Sequence, residues 1–353
     1  MKKEHILVIR FSALGDVAMT VPIVYALAME YPDVRITMLS RGFARPFFED
    51  LAPNVSFMEA DLKTEYHGVK GLNSLYRRLT AKQFTAFADL HSVLRSQFLR
   101  MRFNMGNYRV EHINKHRKLK RQLTSEKNKL NEQLPTAFEN YADVFARLGY
   151  PIHNLNFKSL FPEEGGNLNL LPRVKGVKCS WEQWFGIAPF AAHKGKIYPL
   201  ELMEEVIRQL SEKHPKARFM LFGRGQEEEK VFKKWVEKMP QCTFVGDNLE
   251  NMHQELILMS HLDVMISMDS ANMHLASLTA TPVVSIWGAT HPHAGFMVWN
   301  QLPENAIGAE MDCRPCSIYG QKPCFIGDYP CLRSIKPETI VVQVEKTLQR
   351  RQQ

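Results

Sequence analysis

The chain has 353 residues, 45% hydrophobic and 23% charged, with a net charge of +8. That length suits two α/β domains better than one, and the composition supplies a full core and excludes a disordered or low-complexity chain. No run approaches the roughly 18 uncharged apolar residues of a membrane-spanning helix, and no small-residue cleavage site follows the short apolar run near the start, so a cytoplasmic protein is expected.

In chain order, "HILVIR" (5–10), "VRITMLS" (34–40), "VSFMEA" (55–60) and "FTAFADL" (84–90) read as short strands bounded by turn signals. An apolar helix over about 17–30 separates the first two, with Pro22 either in its first turn or kinking it. From about 115 to 149 the pattern is helical, first the polar "KHRKLKRQLTSEKNKLNEQ" and then the amphipathic "TAFENYADVFARLGY", which Gly149 stops. "PEEGGNLNLLPRVKG" (162–176) has the composition of a linker.

A second series follows. "WFGIAPFA" (184–191), "ARFMLFG" (217–223), "CTFVG" (242–246), "VMISM" (264–268) and "PVVSIWG" (282–288) read as strands. Helices fall between them at about 200–213, 226–239, 252–261 and 271–279, and a last helix carries Pro337 in its first turn. The alternation predicts two open parallel α/β domains, over 1–165 and 177–335, joined by a linker at 166–176. A terminal helix at 336–353 is free to pack back on the first domain. Two such domains imply a cleft between the carboxyl ends of their strands, where open sheets bind ligands.

Charge and cysteine are both unevenly spread. Between Arg95 and Lys129 there are eleven Lys or Arg against two Glu, so the remainder is about neutral. Such a block calls for an anionic partner: nucleic acid, an acidic membrane surface or a phosphorylated substrate. No aromatic stacking signature or nucleic-acid module accompanies it, which disfavours the first. Cys313, Cys316, Cys324 and Cys331 crowd one Pro/Gly-rich stretch with a single C-x-x-C. Reduced thiols on a surface loop are the favoured reading, and a metal site is the alternative.

Several loops carry candidate chemistry. In "FSALGDVAMTVP", Asp16 directly follows Gly15, where it would repel the phosphate such a turn often admits; it either caps the helix or does chemistry. In "SMDSANMHLASL", Asp269 or Ser270 can cap a helix whose first N–H groups suit an anion, with His274 one turn further on. Gly288 in "WGATHPH" permits close backbone approach, and Lys194 and Lys196 in "FAAHKGKIYP" can neutralise a pyrophosphate. Together these loops suggest a nucleotide-diphosphate pocket.

"RFSALGDVAMTVPIVYAL", "KGKIYP" and "MDSANMHLASLTATPVVSIWGATHP", in that order, resemble the heptosyltransferases of glycosyltransferase family 9. The resemblance implies a GT-B fold of two Rossmann-like domains, acceptor on the first and nucleotide sugar on the second. It also implies inverting transfer from an ADP-heptose donor to the lipopolysaccharide inner core, with no required metal or cofactor. Asp16 then matches the proposed general base, and Lys196 matches the pyrophosphate lysine. Ala191, Ala192, Asp269, Ser270, Ala271, His274, Gly288 and Thr290 fall beside the nucleotide sugar.

Ser12 and Gly15, together with Asp89, Arg95 and Ser96 of "DLHSVLRS", fall on the acceptor side. Arg117, Lys118, Lys120 and Arg121 of the basic block join them, facing a lipid-linked core oligosaccharide and an anionic membrane surface. This makes the enzyme peripheral to the inner face of the inner membrane, with no nucleic-acid partner. Ala191, Ala192 and Ala271 depart from the hydroxyl and glycine residues usual in the family, as does "ATHPH" from "PTDP". These departures keep open another nucleotide-sugar donor on a cell-envelope glycan, and more remotely a sugar-nucleotide epimerase.

Overall fold

A computed structural model of the chain describes residues 4–172, 178–179 and 181–351, so part of the expected linker, 173–176, lies outside the described residues. The chain divides into two units. The first comprises residues up to Lys115 and Pro135–Lys158, and the second His116–Leu134 together with the chain from Ser159 onward.

In the first unit, β1 (His5–Ile9), β2 (Arg35–Ser40), β3 (Val55–Glu59), β4 (Ala86–Asp89) and β5 (Arg109–His112) form one parallel sheet in the order β3-β2-β1-β4-β5. Every residue of β1 is buried, as a central strand covered on both faces requires. Leu7 and Ile9 pack with Leu72, Leu75 and Leu79 of the helix Gly68–Thr80 and with Leu99 and Phe103 of the helix Leu94–Met105. The expected helix over 17–30 is two helices, Leu14–Ala18 and Val21–Glu30, and Pro22 sits in the first turn of the second, where its missing N–H costs nothing.

In the second unit, β6 (Trp184–Ala188), β7 (Arg218–Leu221), β8 (Cys242–Phe244), β9 (Val264–Met268), β10 (Val283–Trp287) and β11 (Ala306–Gly308) form a parallel sheet in the order β11-β10-β9-β6-β7-β8. β6, β9 and β10 are buried throughout. The strand order of each sheet reverses beside one strand, at β1/β4 and at β6/β9. Open sheets place ligands at the carboxyl ends of such strand pairs.

Three boundaries differ from expectation. Of the polar segment 115–133 only Arg117–Leu123 is an α-helix, and it belongs to the second unit. Leu123 and Leu134 are buried against Ala294, with Leu119, Leu130, Phe296 and Ile318 around them, and the Leu134 N–H donates to the His293 carbonyl at 2.9 Å. Apolar burial thus anchors this insertion to the second sheet's loops, taking Arg117, Lys118, Lys120 and Arg121 with it. The second unit also begins at Ser159, seven residues before the expected linker. The last helix, Pro337–Arg351, packs on the helix Leu200–Lys213 and on β9 and β10, with Ile340, Val341 and Val344 in the second core. No helix among the described residues is long and apolar enough to cross a membrane.

Candidate active site

At the first switch point, Ile9 stands opposite Asp89 in register, so the loops after β1 and β4 leave the sheet side by side. Asp16 lies in the first turn of Leu14–Ala18, and Gly15 is a helical residue beside it. One carboxylate oxygen accepts from the Ala13 N–H at 3.1 Å and the other meets the Arg10 guanidinium at 2.9 Å. The Ala13 contact is the capping role, and the Arg10 pair holds the carboxylate's other oxygen.

Arg10 was not foreseen. Its side chain is 9% exposed and that of Asp16 30%, so the cation is set beneath and the carboxylate faces out. Arg10 also donates to the Leu90 carbonyl at 2.5 Å and lies 5.6 Å from the Tyr141 ring centre. The Tyr141 hydroxyl donates to the Asp16 carbonyl at 3.3 Å. Beside them, His91 lies with Nδ1 3.5 Å from the Phe11 N–H and Nε2 3.3 Å from the Ser12 hydroxyl. Burial first, then the Arg10 and Lys115 charges, hold its pKa near 4, so the ring is neutral at pH 7.

Two expected acceptor contacts are corrected. Asp89 and Ser96 are fully buried and have no surface to offer a sugar. Asp89 instead accepts from the His91 and Ser92 N–H groups at 3.0 and 2.7 Å and from Arg100 at 3.4 Å. Ser96 bonds the Val93 backbone and starts the next helix. Arg95, one residue earlier, is exposed.

At the second switch point, Lys196 Nζ lies 3.1 Å from the Asp269 carboxylate, the two side chains being 15% and 7% exposed. Here the cation is the more accessible partner. Neither Asp269 nor Ser270 caps the following helix, Ala271–Leu278: Ser270 makes no side-chain cap and its Oγ lies 3.3 Å from Ser267 Oγ. The helix start is therefore not closed by its own cap residue, which suits an anion. His274 is buried one turn on, while Ala191 is part-buried and Ala192 exposed early in the loop after β6.

Close backbone packing fixes Lys196. The Ala289 N–H donates to the Gly195 carbonyl at 2.8 Å, and a Cβ on Gly288 would stand 2.6 Å from that same oxygen. Gly320, at φ +77°, lies under the Lys196 stem, where a Cβ would meet Cγ at 2.5 Å. Arg314 completes the frame from within the cysteine-rich stretch. It donates to the carbonyls of Gly288 (2.6 Å), Trp287 (2.9 Å), Thr290 (3.2 Å) and Ala309, clamping the loop after β10. Thr290, expected beside the nucleotide sugar, is fully buried; its carbonyl accepts from Arg314 and its Oγ1 has no hydrogen-bond partner among the described residues.

The family model described as glycosyltransferase family 9 (heptosyltransferase) matches residues 72–322. The chain belongs to that family. A lipooligosaccharide heptosyltransferase 2 of Campylobacter jejuni is 20% identical over 337 residues, covering 94% of this chain and 96% of the relative. The lipopolysaccharide core heptosyltransferase OpsX of Haemophilus influenzae is 21% identical, covering 82% and 80%. Among solved structures, E. coli heptosyltransferase WaaC with ADP superposes with a TM-score of 0.68 at 16% identity, covering 97% of this chain and 99% of that one. The fold of this family 9 glycosyltransferase is accordingly GT-B, with two parallel-sheet α/β domains.

In the cysteine-rich stretch of this glycosyltransferase, burial keeps two thiols protonated. Burial pushes Cys331 up to about 11 and raises Cys316, and neighbouring thiols add to both. Among the described residues no group of three or more His, Cys, Asp or Glu is placed to hold a metal ion. A cavity of about 730 Å³ lies between this stretch and the 116–134 insertion, lined by Lys129, Met311, Cys313, Lys322 and Phe325 among others. Neither Lys196 nor Asp269 lines it.

Proposed function

We propose that this family 9 glycosyltransferase moves a heptose from ADP-heptose to the inner core of a lipid-linked lipopolysaccharide acceptor, with inversion at the anomeric carbon. The observation that carries the reading is the pairing at the two switch points: an accessible carboxylate on the first domain, and on the second a lysine more accessible than its aspartate partner. Asp16 takes the proton of an acceptor hydroxyl as its oxygen bonds to the anomeric carbon, and the bond from that carbon to the diphosphate breaks with ADP leaving. Such proton transfer is worth about 10²–10⁴-fold in rate.

Arg10 keeps Asp16 oriented, and the neutral His91 positions the Ser12 loop. On the donor side Lys196 exchanges its Asp269 partner for the diphosphate, and the start of Ala271–Leu278 adds oriented N–H groups where charge builds on the leaving oxygen. Ser12, Gly15 and Arg95 face the acceptor, and the basic residues Arg117, Lys118, Lys120 and Arg121 meet its phosphates. The enzyme works at the inner face of the inner membrane. The relatives named for lipooligosaccharide and lipopolysaccharide core transfer support this substrate class.

The test is ADP release by purified protein given ADP-heptose and a lipid A–core acceptor. The expected result is acceptor-dependent ADP, and no release with either substrate alone. Thermal melting with ADP, UDP, GDP and CMP checks the donor: only ADP should raise the melting temperature strongly. A strong UDP shift in place of it would transfer the reading to another nucleotide sugar.

A further inference from the structure

The helix Leu94–Met105 shows an exposed apolar stripe. Leu94, Met101 and Met105 are 85%, 50% and 71% exposed, and at 3.6 residues per turn they fall within about 40° of arc. The inward side of the same helix carries Ser96, Leu99 and Phe103, all buried. Arg95 and Arg102 flank the stripe on one edge, and Gln97 and Asn104 on the other. Packing alone does not require three large apolar side chains on a solvent-facing arc.

The neighbouring helix Gly68–Thr80 lies against it on the same face of the sheet, since both contribute to one core cluster. Its outer side presents Lys70, Ser74 and Arg77, all exposed, and Val69 at its edge is 64% exposed. Neither helix contains an acidic residue. Glu65, just before the second helix, is spent on Arg78 at 3.8 Å. Arg102 lies over the Tyr76 ring at 4.8 Å, which ties the two helices together. The surface is therefore apolar along a ridge, positive along the edge shared with the neighbouring helix and uncharged along the other.

We propose that the outer face of these two helices docks on an anionic lipid bilayer. Leu94, Met101 and Met105 enter the boundary between headgroups and acyl chains, while Lys70, Arg77, Arg95 and Arg102 meet lipid phosphates. Charge selects this occupant over a second copy of the chain, because a self-complementary contact would set arginine against arginine. The helix begins two residues after Ser92 of the acceptor-side loop, so docking would bring that loop to the membrane surface. The inference rests on the lipid-borne acceptor proposed above for its purpose, but its measurement needs no substrate.

The experiment is co-sedimentation of the full chain with phosphatidylglycerol-containing vesicles and with vesicles of phosphatidylcholine alone. Wild type should partition to the anionic vesicles and much less to the neutral ones. L94S/M101S/M105S and, separately, K70E/R77E should each weaken that partitioning about tenfold or more, with thermal melts showing both variants folded. K118E/R121E, in the insertion on the second unit, should keep most of it. The proposal is overturned if wild type ignores anionic vesicles, or if the triple variant binds as wild type does. It is also overturned if only K118E/R121E abolishes binding, or if light scattering shows the triple variant splitting a dimer. Transfer to a delipidated core acceptor without vesicle binding would sink docking alone. Vesicle binding without any ADP-induced stabilisation would sink the transferase reading alone.

Discussion

The two switch points are built on the same plan and polarised in opposite senses. Each holds one ion pair at the carboxyl ends of adjacent parallel strands. At β1/β4 the arginine is the sunken partner and the carboxylate the accessible one; at β6/β9 the aspartate is sunken and the lysine accessible. An ion pair costs desolvation on both sides, and the buried partner loses most. The more accessible partner is thus a carboxylate on one sheet and a lysine, itself only 15% exposed, on the other. On the function proposed above, one plan would serve both proton removal and anion binding.

That contrast can be broken in order of expected effect. Asp16→Asn should lower kcat by about 10²–10⁴-fold, read as acceptor-dependent ADP release. Lys196→Ala should lower kcat by about 10²–10³-fold, the scale of a lost transition-state donor. It should also weaken ADP binding, and a melting curve checks that Asp269, buried without its lysine, has not unfolded the site. Gly288→Ala forces a methyl against the Gly195 carbonyl, where backbone must shift. It should cost about 1–3 kcal/mol of stability, seen as a lower melting temperature and a weaker response to ADP.

The smallest effect is a pH dependence. His5 and His91 both titrate near 4, chiefly through burial, against an ordinary 6.5. The unfolded chain takes up these protons first, so stability present above about pH 6.5 is lost as pH falls toward 4. The loss is at most about 1.4 kcal/mol per pH unit for each ring. Melting temperatures in that window should fall progressively, and less steeply in His91→Gln. A flat profile would show that the rings are not held neutral.

Much of the fold was legible because buried parallel strands are short apolar runs: β1, β6, β9 and β10 stand where "HILVIR", "WFGIAPFA", "VMISM" and "PVVSIWG" put them. β5 and β11 escaped because edge strands of four and three residues carry no such run. The insertion was misassigned for a related reason. Its charge dominates its composition, while the few leucines that decide where it packs are spaced too irregularly to announce a partner. Asp16, Lys196, Asp269 and Gly288 were readable as loop residues after strands. Arg10, His91 and Arg314 were not, since a strand-end arginine or a loop histidine has no distinguishing local pattern. Their roles arise from contacts with Asp16, Ser12 and the Gly288 carbonyl, which only the folded chain brings together.

Calorimetric titration of ADP into Asp16→Asn and Lys196→Ala, side by side with wild type, probes the division of labour most directly. The asparagine variant should bind ADP with wild-type affinity while the alanine variant binds it at least about tenfold more weakly, as expected for a lost charge-assisted contact. Equal weakening in both, or undiminished ADP binding without Lys196, would contradict the assignment of base to one sheet and diphosphate to the other.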